Sequence, residues 1–498
     1  MMTPILRGSA LRAVEARHAD ADPPLMERAG TALAAEIERM LPDANGPLLI
    51  VAGPGNNGGD ALVAARLLRE KGIVPTVVLA GDAERLPREA RAALEAWLTI
   101  GGKTLRDIPE RHWMLAVDGL FGIGLTRPVE GRAAELIERI NRLGCPVLAV
   151  DVPSGLCADT GRVLGVAVGA SRTLTFIAGK PGLYTLDGPD HCGDIGVDTL
   201  GLAIDDPEGC LIEPLLFRRH LQPRPRNSHK GSFGSAGIIG GAPGMAGAAL
   251  LAGRAALGLG AGRVHVGMLE ALAVDPMQPE LMLRTPGDVL GLATALAIGP
   301  GLGSSDRALD LLRGSIDTPL PLVLDADALN LLAGHPVLFT KVSRREAPTA
   351  LTPHPAEAAR LLGTSTKAVQ ADRVASALEL ARRSRAPIAL KGCGTLVAKP
   401  DGRWCINSSG NPGLASAGSG DVLTGMIVAW LAQAWPAEAA LLAAVHLHGA
   451  AADDLVRTGY GPIGLTAGEI IGAARQRLNR WIADEALPGK ARMASERG

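Results

Sequence analysis

Two glycine-rich segments hold side chains that could do chemistry, one in each half of the chain. In the first half, GPGNNGGDALVAARLL places Gly53, Gly55 and Gly58 as a GxGxxG between an apolar run and an amphipathic one. With Asp82 after the next apolar run, the pattern superficially matches a dinucleotide-binding turn. Asn56, Asn57 and Asp60 crowd the same loop, however, and a loop that only passes close to a pyrophosphate needs no such groups. A loop that cradles phosphate and also ligates a small ion would use them. Further on, VDGLFGIGLTRPVEG supplies Asp118 and VDVPSGLCADTG supplies Asp151 and Ser154. If these lie at strand carboxyl ends, Asn57, Asp118 and Ser154 are hard oxygen donors suited to a cation. The run Gly122, Ile123, Gly124, Leu125, Thr126, Arg127 and Pro128 could wrap a second phosphate, with Arg127 as its charge partner.

In the second half, NPGLASAGSGDVLTGM leads Gly418, Ser419 and Gly420 into a helix expected from Asp421 to Trp435. Free N–H groups and the helix dipole there favour an anion. A carboxylate at that point can accept a proton from a hydroxyl attacking phosphorus. The bland alternative is an ordinary glycine-rich N-terminus. Four more segments weigh against it: HKGSFG (His229, Lys230), GPGLG (299–303), LTPHPAE (His354, Glu357) and KGCGT (Lys391, Gly392, Cys393, Gly394, Thr395).

Strands are expected at 48–53, 76–81, 114–122, 146–155 and 173–179, with helices at 60–71, 88–98 and 131–143. The second half adds strands at 236–241, 263–268, 295–301, 321–327, 349–354 and 387–392, and a helix at 247–259. Alternation of this kind implies parallel α/β sheets. Pro214, Pro223 and Pro225 mark a linker expected over about 206–228.

At roughly 150 residues per domain, 498 residues allow two to four domains. A net charge of -1 excludes a generally basic nucleic-acid binder, and 3% aromatic content argues against stacking platforms. The uncharged stretch from Gly231 to Gly253 is glycine-rich and broken by Pro243, so a loop–helix unit is expected there rather than a membrane span. The N-terminal residues carry Arg7 and Arg12 and no signal-like apolar core. Six cysteines without CxxC pairs suggest reduced thiols and a cytoplasmic setting.

Taken together, GPGNNGGD, VDGLFGIGLTRPVEG and VDVPSGLCADTG resemble the NAD(P)H-hydrate epimerase domain of the YjeF N-terminal family, as do LMERAG (25–30) and TFIAGKPGL (175–183). Arg28 stands where that family commonly has Asn, and Ala61 where it usually has Gly. The resemblance implies a Rossmann-like three-layer α/β sandwich over 1–215 that interconverts R and S hydrates of NADH or NADPH. It implies K+ at Asn57, Asp118 and Ser154. It implies hydrate contacts through Asn56, Asn57, Gly58, Gly59, Asp60, residues 122–128 and Asp151. Asp151 is then the expected acid/base, and Lys180 is either its assistant or an ordinary surface lysine.

The second set of motifs, with LVLDADALN (322–330) and GMAGAALLAGRAALGLGAGRV (244–264), resembles the ribokinase-like ADP/ATP-dependent NAD(P)H-hydrate dehydratases. Over 225–490 this implies hydrate contacts at Ala248, Gly301, His354 and Asp421, and adenine-nucleotide contacts at Lys391 to Thr395 and Gly420. Asp421 would be the base that activates the hydrate's C6 hydroxyl. Phosphorylation makes that hydroxyl a good leaving group, and elimination restores the dihydronicotinamide. ADP is the donor that the resemblance implies, giving AMP and phosphate, with Mg2+ expected from phosphoryl transfer. The resulting expectation is a bifunctional nicotinamide-nucleotide repair enzyme, a homo-oligomer acting on small molecules rather than on nucleic acid or membrane. A small-molecule kinase and a degenerate binding module are the competing readings.

Overall fold

The computed structural model describes residues 2–485 apart from 42, 44 and 45; residues 486–490 of the expected second segment lie outside the described residues. The chain divides into two compact units, Thr3–Cys210 and the residues from Leu211 onward together with Met2.

The first unit is a parallel sheet in the order Thr104–Leu105, Thr76–Leu79, Leu48–Ala52, Leu115–Gly119, Val147–Val150, Arg172–Phe176, Asp194–Asp198. Its central strands are apolar without alternation because both faces are covered. Leu48, Ile50 and Ala52 join one core with residues of the helices Leu25–Met40, Asn56–Glu70 and Arg88–Thr99. Leu49 and Val51 join another with Leu136, Ile137 and Ile140 of the helix Gly131–Asn141. Period-two side-chain alternation thus produces the three layers.

The second unit's sheet runs Trp404–Ile406, Leu396–Ala398, Ile388–Leu390, Thr349–Leu351, Leu322–Leu324, Ala295–Ile298, Ser235–Gly240, Arg263–Met268, Met282–Arg284. The first two pairings are antiparallel, and the others are parallel. The helices Ala246–Gly258 and Ser419–Ala432 pack so closely that a Cβ on Gly425 would stand 2.1 Å from the carbonyl oxygen of Ala252. The stretch 231–253 forms a turn, a buried strand and the start of a helix, as expected. The helix Ala437–Arg457 is long and apolar enough to cross a membrane, but most of it is buried within this unit.

Two helices begin earlier than expected. The first starts at Asn56 rather than residue 60, because extended Gly55 acts as N-cap and Gly59 N–H already bonds Gly55 C=O. The other starts at Ser419, after Gly418 turns the chain at φ 88°. Most strands end earlier than expected, where their Gly, Pro and Asp residues leave the sheet. The expected linker is free only in part: Ile212, Phe217 and Leu221 are buried, and Phe217 packs against His446 and Trp481. Cys192, Cys210 and Cys405 are buried, Cys145 and Cys157 half-buried and Cys393 exposed.

Candidate active sites of the two units

In the first unit the expected residues come from successive strand ends. Asp118 closes Leu115–Gly119 and is fully buried. One of its oxygens accepts hydrogen bonds from Ser154 Oγ at 2.6 Å and Leu120 N at 3.2 Å, and the other accepts from Ser154 N at 2.8 Å. Burial raises its carboxyl to about 6, against the pull of the Ser154 and Leu120 bonds. Ser154 Oγ also accepts a bond from Phe121 N at 2.8 Å. Asn57 is buried on the first turn of its helix, and its Nδ2 has no hydrogen-bond partner. A Cβ on Gly122 would stand 3.1 Å from Asn57 Oδ1 and 3.3 Å from Asp151 Oδ2, so these three residues line one space. Gly58 is required beside them, since a Cβ there would come 2.1 Å from the carbonyl oxygen of Gly53.

Asp151 follows Val147–Val150 at φ 65°, a left-handed conformation that Asp tolerates better than most residues. Its Oδ1 accepts bonds from Thr175 Oγ1 at 3.1 Å, Phe176 N at 3.3 Å and Lys180 Nζ. Lys180 is no surface lysine. It is fully buried, and its ammonium also donates to Thr175 Oγ1 at 2.7 Å and Phe176 O at 2.8 Å. All three donors of the ammonium are used. Asp60, half-buried one turn into the helix that begins at Asn56, behaves differently. Burial pushes its carboxyl well above the usual range, and the charges of Asp151, Glu15 and Glu89 push it further. Asp151 is ion-paired with Lys180, whereas burial disposes the Asp60 carboxyl to keep its proton.

Asn56, Gly124, Thr126, Arg127 and Pro128 are exposed at the rim, and Ile123 and Leu125 are half-buried. Asp82 caps its own short turn by accepting from Glu84 N at 3.1 Å, so it is not placed as a ribose ligand by that contact. Arg28 donates to the carbonyls of Leu200 at 2.9 Å and Pro23 at 2.9 Å, a structural tie at the position where Asn is common.

In the second unit the Asp421 carboxyl sits in the first turn of Ser419–Ala432. Burial raises it to about 6, Asp325 and Asp327 add to the rise, and Lys391 opposes it. A Cβ on Gly420 would lie 3.4 Å from Lys391 Nζ, which brings the KGCGT and GSGD segments together. Lys391 Nζ donates to Asp325 Oδ1 at 2.6 Å, and Thr424 Oγ1 donates to Asp325 Oδ2 at 2.7 Å. Burial works against the charge on Lys391, but Asp325 and Glu357 outweigh it and hold the ammonium above its ordinary value.

Gly301 and Ala248 are neighbours, since a Cβ on Gly301 would be 3.2 Å from Ala248 Cβ. His354 caps the helix Pro355–Leu362: its Nδ1 accepts from Ala356 N at 3.1 Å and Glu357 N at 3.3 Å. Nε2 then carries the proton of the neutral ring and faces Glu357 Oε1 at 3.2 Å. Burial of Glu357 raises its carboxyl to about 7. His229 is likewise a local cap, of the turn Lys230–Phe233.

Sequence reasoning singled out neither Asp325 nor Arg373. Asp325 was legible as the first acidic residue after the apolar run PLVL. Arg373 carried no signal. It is buried under the KGCGT segment and donates to the carbonyls of Leu390 at 3.1 Å, Lys391 at 3.2 Å and Gly394 at 3.4 Å.

Among the described residues no group of three His, Cys, Asp or Glu side chains could hold a metal by itself. Mg2+ commonly takes one or two carboxylates and completes its shell with substrate phosphates and water, so the half-buried carboxylates of Asp327 and Asp421 fit it. The first site offers Asn57 Oδ1, Ser154 Oγ and one carboxylate, a donor set whose single charge suits a monovalent ion.

Two family models match the chain, one described as YjeF-related protein N-terminus over residues 23–182 and one as NAD(P)H-hydrate dehydratase over 236–473. A bifunctional NAD(P)H-hydrate repair enzyme of Coxiella burnetii is 40% identical, with 91% of this chain and 94% of that protein covered. The Escherichia coli repair enzyme is 38% identical, with 93% and 90% covered. A Bacillus subtilis ADP/ATP-dependent NAD(P)H-hydrate dehydratase co-crystallised with ATP/Mg2+ is 32% identical over 54% of this chain and 98% of its own, at a TM-score of 0.48. With both domain models matched in order and relatives aligned over nearly their full length, the chain belongs to the bifunctional NAD(P)H-hydrate repair enzymes, joining an epimerase to a dehydratase.

Proposed function

We propose that the two clusters divide the repair between them, with the residues in the following roles. In the first unit Asp151 removes or returns the proton at the hydrate centre, and Asp60 is the neutral carboxyl on hand to donate one. Lys180 pairs with Asp151 and holds it in orientation. Asn56, Gly58, Gly59 and residues 122–128 hold the phosphate-bearing part of the substrate through backbone N–H groups and Arg127. Asn57, Asp118 and Ser154 hold K+, which supplies positive charge beside the bound substrate. Replacing K+ with tetramethylammonium is expected to slow epimerisation and leave dehydration of pure S hydrate unchanged. Equal epimerisation rates in the two salts, followed by chiral chromatography of the hydrates, would remove the ion from this reading.

In the second unit Ala248, Gly301 and His354 position the S hydrate so that its C6 hydroxyl meets Asp421. Asp421 takes the hydroxyl proton as the oxygen attacks the terminal phosphorus of ADP, and AMP departs. The C6–O bond then breaks with loss of a proton from C5, inorganic phosphate leaves, and the C5=C6 double bond of the dihydronicotinamide is restored. Lys391, Gly392, Cys393, Gly394, Thr395 and Gly420 bind the nucleotide, and Mg2+ bound there would neutralise phosphate charge. The observation that carries this assignment is the raised Asp421 carboxyl beside Lys391 at a helix N-terminus. The test is recovery of reduced-nicotinamide absorbance from NADPH hydrate with ADP, ATP or neither. Recovery without nucleotide would defeat it.

The Asp421 value also sets a pH dependence. A base works only when ionised, so kcat for dehydration should rise with pH up to about 6 and level off above it. A stopped-flow pH profile that stays flat across that range would separate Asp421 from the proton transfer. Six cysteines without CxxC spacing in a chain of this length fit a reducing compartment.

A further inference from the structure

Arg373 stands where a positive charge costs most. It is the first residue of the helix Arg373–Ser384, at the positive end of the helix dipole, and only 2% of it is exposed. Among the described residues no carboxylate pairs with it. Its Nη1 donates to Gln370 Oε1 at 2.8 Å, its Nη2 donates to backbone carbonyls, and its Nε is buried with no hydrogen-bond partner. Burial pulls the guanidinium down to about 10, so it still carries its charge at ordinary pH. A buried charge without a counter-charge is costly, and an apolar side chain of similar length would avoid that cost.

The guanidinium lies against the KGCGT segment. Nη2 donates to the carbonyls of Leu390 at 3.1 Å, Lys391 at 3.2 Å and Gly394 at 3.4 Å. Gly392 turns the chain over it at φ 136°, and a Cβ there would stand 3.0 Å from Nη1 and 3.1 Å from Nη2. The peptide bonds of this segment are trans, so each N–H points opposite to the carbonyl of its own peptide unit. Drawing three carbonyls towards one guanidinium therefore turns the N–H groups of Lys391, Gly392 and Thr395 the other way. Pro353 O takes the N–H of Lys391 at 2.9 Å, and those of Gly392 and Thr395 face away from the guanidinium. The nearby ammonium of Lys391 is already paired, with Asp325 Oδ1 at 2.6 Å, which leaves Arg373 as the uncompensated charge beside the segment.

We propose that Arg373 is a positioning residue for the nucleotide subsite: it gathers the carbonyls of the KGCGT segment to its own side, so that the segment presents N–H groups, backed by an unneutralised positive charge, to a nucleotide phosphate. Successive N–H groups of this kind make an anion-binding concavity, and the guanidinium behind them adds a full charge. The phosphate is the counter-charge that the fold itself does not supply. The inference rests on the reading that ADP binds at Lys391–Thr395 and Gly420.

The test compares Arg373→Met and Arg373→Lys with the wild type in the full chain. For Arg373→Met, the KM for ADP and the calorimetric dissociation constant of AMP should rise about tenfold or more, the loss of roughly one hydrogen bond to a charged group. Its kcat at saturating ADP, KM for the hydrate and epimerisation rate should be unchanged. Adenosine, which lacks the phosphates, should bind this variant as it binds the wild type. Lysine keeps the charge without the planar fork, so Arg373→Lys should fall between the two. An unchanged KM for ADP in the methionine variant overturns the proposal. So does a loss of adenosine affinity as large as the loss for AMP, which a merely structural residue would produce. If the methionine variant does not fold, the lysine variant decides: weaker AMP with adenosine unaffected supports the proposal, and equal effects on both, or none, overturn it. Wild-type dehydration that needs no nucleotide would instead defeat the underlying site assignment.

Discussion

Asp421→Asn is expected to slow nucleotide-dependent dehydration of the S hydrate by about 10²- to 10⁴-fold while R-to-S conversion continues. Asparagine keeps the shape and the helix-start position of the residue but cannot accept a proton. The fold should not suffer. The native carboxyl is held high by burial and by the neighbouring Asp325 and Asp327, so removing its charge relieves repulsion. Lys391 keeps its partner, since its bond at 2.6 Å runs to Asp325. The measurement is NADPH recovery from purified S hydrate with ADP, alongside a melting curve and an epimerisation assay on the same preparation. Full-rate repair by this variant would show that the proton is taken elsewhere.

The contrast with Asp325 is instructive. That carboxylate is 1% exposed and saturated by Lys391 and Thr424, so it is a scaffold for the ammonium and not a free base. The sequence reading chose Asp421 from its GSGD context and passed over Asp325, without showing what separates them. Both are acidic residues next to glycine or apolar runs, and the distinction lies in which hydrogen bonds the fold completes. The parallel sheets were legible because buried strands read as unbroken apolar runs, as in LLIVA and VLAV. The outer antiparallel strands Leu396–Ala398 and Trp404–Ile406 are only three residues each, too short to leave a pattern. The glycine clusters marked the two candidate sites, since backbone must approach phosphate or another strand closely wherever they occur. Their charge chemistry was less legible. Lys180 read as an even choice between surface and site because a lone Lys in sequence carries no burial signal. Arg373 was invisible for the same reason.

Asp151→Asn should abolish R-to-S conversion and spare dehydration of pure S hydrate. Two effects combine. The first is the loss of the proton-transferring group, about 10²- to 10⁴-fold. The second is electrostatic. Lys180 is fully buried, and Asp151 is the anionic member of its three acceptors; Thr175 Oγ1 and Phe176 O remain but carry no charge. Removing one partner of a buried ion pair costs about 3–5 kcal/mol, because the surviving charge is left uncompensated. The first unit should therefore melt earlier, and the second unit's transition should stay in place. Lys180→Met in the same background separates the effects: it removes the stranded charge and should recover stability without recovering epimerisation. Restored stability with epimerisation still absent assigns proton transfer to Asp151 itself. Epimerisation that returned with stability would reduce Asp151 to a structural counter-ion, and the proton traffic would then fall to Asp60.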